Sequence, residues 1–216
     1  MSTSAPVTAP AALRLPKVIA LGAVLATAVA FVGIYVFHYY LNYNPAGFDV
    51  YWPRRGTLLM HITCGMVAVL AGPWQFSTRL RRRYLTLHRL TGRVYLIAVA
   101  GGALAAFQLA FTTTDGWAWG FGVAMLGVAW VTTSGMAYYA ILRRQIPIHK
   151  EWMVRSYVVT FAFVTFRILH DFGPTSRLQP ESDRTVAAIW ACWAIPLLFT
   201  EVILQLRRMP ARHASH

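Results

Sequence analysis

Six long apolar runs separated by short polar connections dominate the chain. They fall at about 18–41, 57–77, 91–113, 118–142, 152–172 and 186–206. Each approaches the ~20 residues a helix needs to cross a hydrocarbon core. The pattern predicts an all-α integral membrane protein, a six-transmembrane-helix bundle filling one domain over 18–206. Ala26-Thr27-Ala28 has the small residues of a signal-peptide cleavage site, but the apolar run continues through "FVGIYVFHYY". That is too long for a signal segment, so the first run reads as an uncleaved span. Residues 1–17, rich in Ala, Ser, Thr and Pro, read as a disordered cytoplasmic tail, and residues 207–216 as a basic cytoplasmic one. The link "TTDG" is so short that spans three and four form an antiparallel hairpin. Pro and Gly in the connection 173–185 argue against a helix there.

Composition agrees: 57% of residues are hydrophobic and 12% charged, against about 25% charged in soluble domains. The net charge of +13 does not indicate a nucleic-acid partner, because the basic residues occupy alternate connections. Arg79, Arg81, Arg82, Arg83, Arg89 and Arg93 crowd one of them, and Arg143, Arg144 and Lys150 the next on the same side. The opposite side holds Arg54, Arg55, Arg177 and Arg184, together with Asp49, Asp115, Asp171, Glu181 and Asp183. The positive-inside rule then places both termini in the cytoplasm. Aromatics mark the expected borders: Tyr39, Tyr51 and Trp119 outside, Tyr84, Trp152 and Tyr157 inside. Cys64 and Cys192 lie within apolar runs and form no CxxC motif.

Four histidines carry the candidate chemistry. His61 and His170 are expected near the outer face, His88 and His149 near the inner one. Bundles hold cofactors with ligands from facing helices, and imidazole suits haem iron and other transition metals. His149 and His170 lie 21 residues apart, three heptads, so one helix supplies a histidine to each face. In span two, His61, Gly65, Ala68 and Gly72 share a helical face; His88, Gly92 and Tyr95 do so at the start of span three. A flat porphyrin needs such a bare strip, and close helix packing needs the same small residues. Gly120, Gly127 and Ser134 at heptad spacing in span four point to packing. His38 is a possible replacement for either outer ligand; His213 and His216 belong to the tail.

Charged neighbours fit the same scheme. Arg167, one turn before His170, is placed to meet a haem propionate, an anionic substrate or Asp171. Arg93 and Arg155 are placed for propionates or lipid phosphates at the inner face, and Glu201 for a pairing with Arg155 or for proton movement. Three readings follow. The first is a membrane redox protein with bis-histidine haem b, passing electrons to or from a quinone or small reductant. The second is a non-haem enzyme or transporter using zinc or iron, on His88 with His149 or on His61, His170 and Asp171. The third is a non-catalytic accessory membrane protein with no cofactor. The lipid bilayer is a partner in all three.

The stretches "HITCGMVAVLAGPWQF", "LHRLTGRVYL" and "HKEWMVRSYVVTFAFVTFR" resemble the bacterial membrane-protein family called domain of unknown function 2306. That resemblance implies a multi-helix inner-membrane protein and no established activity. It sets His61, Gly72, Gln75, His88, Arg89, Gly92, Tyr95, His149, Trp152, Met153, Arg155 and Arg167 in motif positions. The helix arrangement is also loosely similar to the ascorbate-reducible transmembrane b-type cytochromes, whose four core helices carry histidine pairs at two depths.

Overall fold

A computed structural model describes residues 15–209, leaving aside the side chains of residues 15–18, 20, 21, 79 and 80. The tail segments 1–14 and 210–216 lie outside the described residues. Six segments are long and apolar enough to cross a membrane: Gly22–Leu41, Pro45–Phe76, Leu85–Phe111, Trp117–Leu142, Ile146–Arg177 and Glu181–Arg208. No strand occurs among the described residues.

The first span is α1 (Leu15–Val36), widened into a π turn at Phe37–Leu41. The short α2 (Pro45–Phe48) and a 3₁₀ segment lead into α3 (Arg55–Phe76). After α4 (Thr78–Arg83) come the hairpin helices α5 (Leu85–Phe111) and α6 (Trp117–Leu142). The fifth span is broken into α7 (Ile146–Thr160), α8 (Ala162–Arg167) and a π turn at Ile168–Phe172. The last helix is α9 (Glu181–Arg208).

Several helices begin earlier than their apolar runs. α5 and α7 start at Leu85 and Ile146, so His88 and His149 sit on the first turn of a helix rather than before it. α9 starts at Glu181, inside the connection where Pro and Gly argued against helix. Pro180 precedes it, and Glu181 and Asp183 fall in its first turn, where negative charge complements the helix dipole. Hydropathy registers the buried or lipid-facing length of a helix and misses such polar first turns.

Small residues govern the packing. A Cβ on Gly120 would come within 2.6 Å of the Ala110 carbonyl, and one on Gly127 within 3.0 Å of the Phe107 ring. The expected close approach of α6 to α5 is therefore realised. α3 meets α5 where Gly101 and Gly102 pass Cys64. α1 is the least buried span, packed along one side with Ala28 fully buried, and side-chain bonds help to hold it. The Tyr40 hydroxyl pairs with that of Thr63 at 2.5 Å, and Arg167 Nε donates to the Tyr35 hydroxyl at 2.5 Å.

A buried hydroxyl network joins spans three, four and five. Tyr95, 0% exposed, bonds Ser156 Oγ at 2.6 Å and Thr160 Oγ1 at 2.7 Å. Ser156 also pairs with Ser134 at 2.7 Å, and Trp130 Nε1 donates to Thr160 at 2.7 Å. Interhelical hydrogen bonds in lipid average about 0.6 kcal/mol and reach about 1.7. Tyr95→Phe, which removes two of them, is expected to lower unfolding stability in detergent by about 1 kcal/mol and leave helicity unchanged. Circular dichroism melts check both.

Candidate functional site

The two histidine pairs lie at opposite ends of the bundle. One end is arginine-rich: it carries α4, the α6–α7 turn and the end of α9. The other carries the 112–116 link and the π turns of spans one and five.

At this second end a cavity of about 530 Å³ opens between all six spans. That lies within the roughly 300–1,000 Å³ typical of ligand pockets. His61, Gly65, Arg167 and His170 all line it. Two of them lie on the interrupted fifth span. The helix is interrupted at Phe161 and widens into a π turn around His170, and Phe163, Phe166, Arg167 and His170 reach the same space. π turns inside helices recur at functional sites. The break also means that His149 and His170 do not share one uninterrupted helix.

His61 stands on the second turn of α3, and its Nδ1 lies 2.9 Å from the Gly102 carbonyl oxygen. A carbonyl only accepts, so Nδ1 carries the proton and Nε2 is left with a free lone pair. His170 has Nδ1 2.7 Å from Asp171 Oδ1, which fixes its donor in the same way. Its Nε2 has only a long contact of 3.4 Å to Thr185 Oγ1. Histidines that bind metal commonly have their other nitrogen tied to a carbonyl or carboxylate in this manner. A row of aromatic rings connects the two residues along the wall. His61 meets Phe163 at 5.3 Å, Phe163 meets Phe166 at 5.9 Å, and Phe166 stacks on His170 at 5.4 Å.

Arg167 lies within a span and forms no ion pair with any described residue. Its Nε is bound to Tyr35 rather than to Asp171, its terminal nitrogens have no described hydrogen-bond partner, and the guanidinium lies 5.8 and 5.9 Å from the Tyr35 and Phe166 ring centres. The acidic groups beside the cavity are otherwise engaged: Asp171 with His170, Glu181 with Arg184, Asp115 with the Tyr51 hydroxyl. The cavity thus joins two oriented imidazoles, a guanidinium that no described carboxylate pairs, and an apolar aromatic body.

The small-residue strip of α3 divides. Gly65 faces the cavity, and a Cβ there would meet nothing within 4 Å. Gly72 is a packing residue, because a Cβ there would overlap the Tyr157 ring. At Gly92 a Cβ would touch only the Gln75 amide at ordinary contact distance. His38 is exposed, sits edge-on to Tyr39 and does not line the cavity.

The other pair has a different setting. His149 Nδ1 bonds the Ala137 carbonyl at 2.8 Å, while His88 Nδ1 is buried with no described partner. The cavity reaches neither residue. Arg93 is exposed. Arg155, 8% exposed, is held by Glu201, with Nε and a terminal nitrogen at 2.8 and 2.5 Å from one carboxylate oxygen. The expected Arg155–Glu201 pairing is present, and it occupies the guanidinium proposed for a propionate. No three His, Cys, Asp or Glu residues converge among the described residues as a metal-binding group. Asp171 acts on His170 rather than beside it as a third ligand.

Several wall residues escaped the sequence reading. Tyr39, Tyr51 and Trp119 were expected as border aromatics and instead line the cavity, with Tyr35, Trp130 and Thr160. Interfacial and cavity-lining aromatics occupy the same depth, so only the helix rotation distinguishes them.

Residues 58–204 match the family of predicted membrane proteins called domain of unknown function 2306, DUF2306. The chain belongs to that family and is a multi-pass membrane protein with six candidate spans. No curated protein and no solved structure matches it.

Proposed function

We propose that the cavity is a haem b site and that the protein is a membrane redox carrier. The observation that carries this reading is that His61 and His170 line one cavity, each with Nδ1 committed to an acceptor and Nε2 turned away from it. The residues fit the group. His61 and His170 would supply ligand nitrogens, Gly65 would leave room for the group, and Arg167 would bind its carboxylates. Bound haem would supply one-electron chemistry, with its potential tuned by the ligands and by burial. The chain's own groups would do the rest. Gly102 and Asp171 hold the imidazoles in one tautomer, Tyr35 orients Arg167, and the Phe163–Phe166 wall keeps water out.

The reading has the arginine-rich end in the cytoplasm of a bacterial inner membrane and the cavity facing the opposite side. A quinone or small reductant would exchange electrons there.

Gly65→Leu tests the fit. Leucine is accommodated in open space, so stability in detergent should stay within about 0.5 kcal/mol of wild type. Haem content by pyridine haemochrome should fall steeply, because the side chain fills the cavity. Loss of stability with retained haem would mean that Gly65 serves packing alone.

A further inference from the structure

The His88–His149 end gathers positive charge that no described acidic group offsets. Arg81 lies in the last turn of α4, His88 and Arg89 follow on the first turns of α5, and His149 lies on the first turn of α7 at the same end. Among the described residues, Arg81, Arg82, Arg89 and Arg93 make no ion pair. Glu151, the acidic residue closest to His149 in the chain, is bound by Arg155 and Arg208. α5 and α7 both begin at this end, and neither has an acidic first turn or a side-chain cap. Helix N-termini carry partial positive charge and unpaired N–H groups that favour anions. Here they meet His88, Arg89 and His149 instead. Positive charge on positive helix ends is unfavourable unless an anion joins it.

The surface beside the cluster is apolar. Leu90, Val94 and Ile97 follow one another along α5 at steps of four and three, at 55%, 41% and 72% exposure. A ligand that satisfies both parts has an anionic head and a hydrocarbon tail.

We infer that His88, His149, Arg81 and Arg89 bind the phosphate of an anionic phospholipid, whose acyl chain lies along Leu90, Val94 and Ile97. The site is independent of the haem reading. It also assigns this histidine pair a role other than a second haem.

Native mass spectrometry of the full chain in detergent tests it, with titrations of dioleoyl phosphatidylglycerol, dioleoyl phosphatidylcholine and inorganic phosphate. Wild type should retain phosphatidylglycerol in preference to phosphatidylcholine, and inorganic phosphate should not displace it. A juxtamembrane basic residue contributes about 1 kcal/mol toward anionic lipid, so Arg89→Gln should weaken binding about five-fold. His88→Gln should weaken it as well, and Arg177→Gln, at the opposite end, should leave it unchanged. Arg89 is exposed, so its variant should keep the wild-type melting temperature and decide the question even if His88→Gln unfolds. Equal retention of the two lipids would overturn the proposal. So would wild-type affinity in Arg89→Gln. Displacement of the lipid by inorganic phosphate would make this a site for soluble anions instead.

Discussion

His61→Ala is expected to strip haem from the purified protein. Of the two cavity histidines, His61 is the one held by a neighbouring helix backbone, through Nδ1 to the Gly102 carbonyl, with Nε2 otherwise unengaged. Outer-shell partners of metal ligands are worth about 10–100-fold in affinity, so loss of the ligand itself should cost at least that much. The fold should survive, because the change removes a single hydrogen bond worth about 1 kcal/mol. Free imidazole added to the variant should enter the space left by the ring and restore part of the Soret absorbance. A purely structural histidine would give no such rescue. His170→Ala should alter the spectrum of the same centre, whereas His88→Ala and His149→Ala should leave it intact. Spectra of the four variants, normalised to protein, separate these outcomes. A wild-type spectrum in His61→Ala would remove His61 from the haem site.

Gly72→Ala is expected to give the largest loss of stability from a single methyl group in this fold. The added carbon falls inside the Tyr157 ring, and that ring cannot swing away freely because its hydroxyl donates to the Val69 carbonyl at 3.0 Å. Overpacking of this kind costs about 1–3 kcal/mol, with α3 and α7 forced apart. Tyr157→Ala removes the obstacle. In that background Gly72→Ala should cost less than about 0.5 kcal/mol, and the difference is the coupling between the two positions. Chemical denaturation in detergent of the two single variants and the double variant measures it. Additive losses would show that the ring is not what excludes a side chain at Gly72.

The contrast between Gly65 and Gly72 shows how far the sequence could be read. Both lie on one helical face with His61, and the spacing correctly put them on one strip. Spacing does not record what stands opposite: open space at Gly65, an aromatic ring at Gly72. The six spans were legible because hydropathy and basic-residue placement act over whole helices. Their first turns were not, as the early starts of α5, α7 and α9 show, since polar residues at a helix end resemble a loop. The shared depth of His61 and His170 was legible, and both line one cavity. The cavity residues of span five flank the interruption at Phe161, which no Pro or Gly marks, and the π turn after Arg167, which ends at Gly173, where a Cβ would meet the Leu169 backbone. Arg155 was legible as a partner of Glu201, and the same pairing withdraws it from the propionate role it was given alongside. Tyr35 could not be connected with Arg167 from the sequence, because 132 residues separate them and no periodicity relates the first span to the fifth.

The central claim is that the His61–His170 cavity holds haem. The most direct measurement is a reduced-minus-oxidised absorbance spectrum of wild-type protein purified from cells supplied with haem precursor, quantified as pyridine haemochrome. The predicted result is a Soret band with b-type visible bands and about one haem per chain. A folded, monodisperse preparation that is colourless and featureless in both redox states would contradict it.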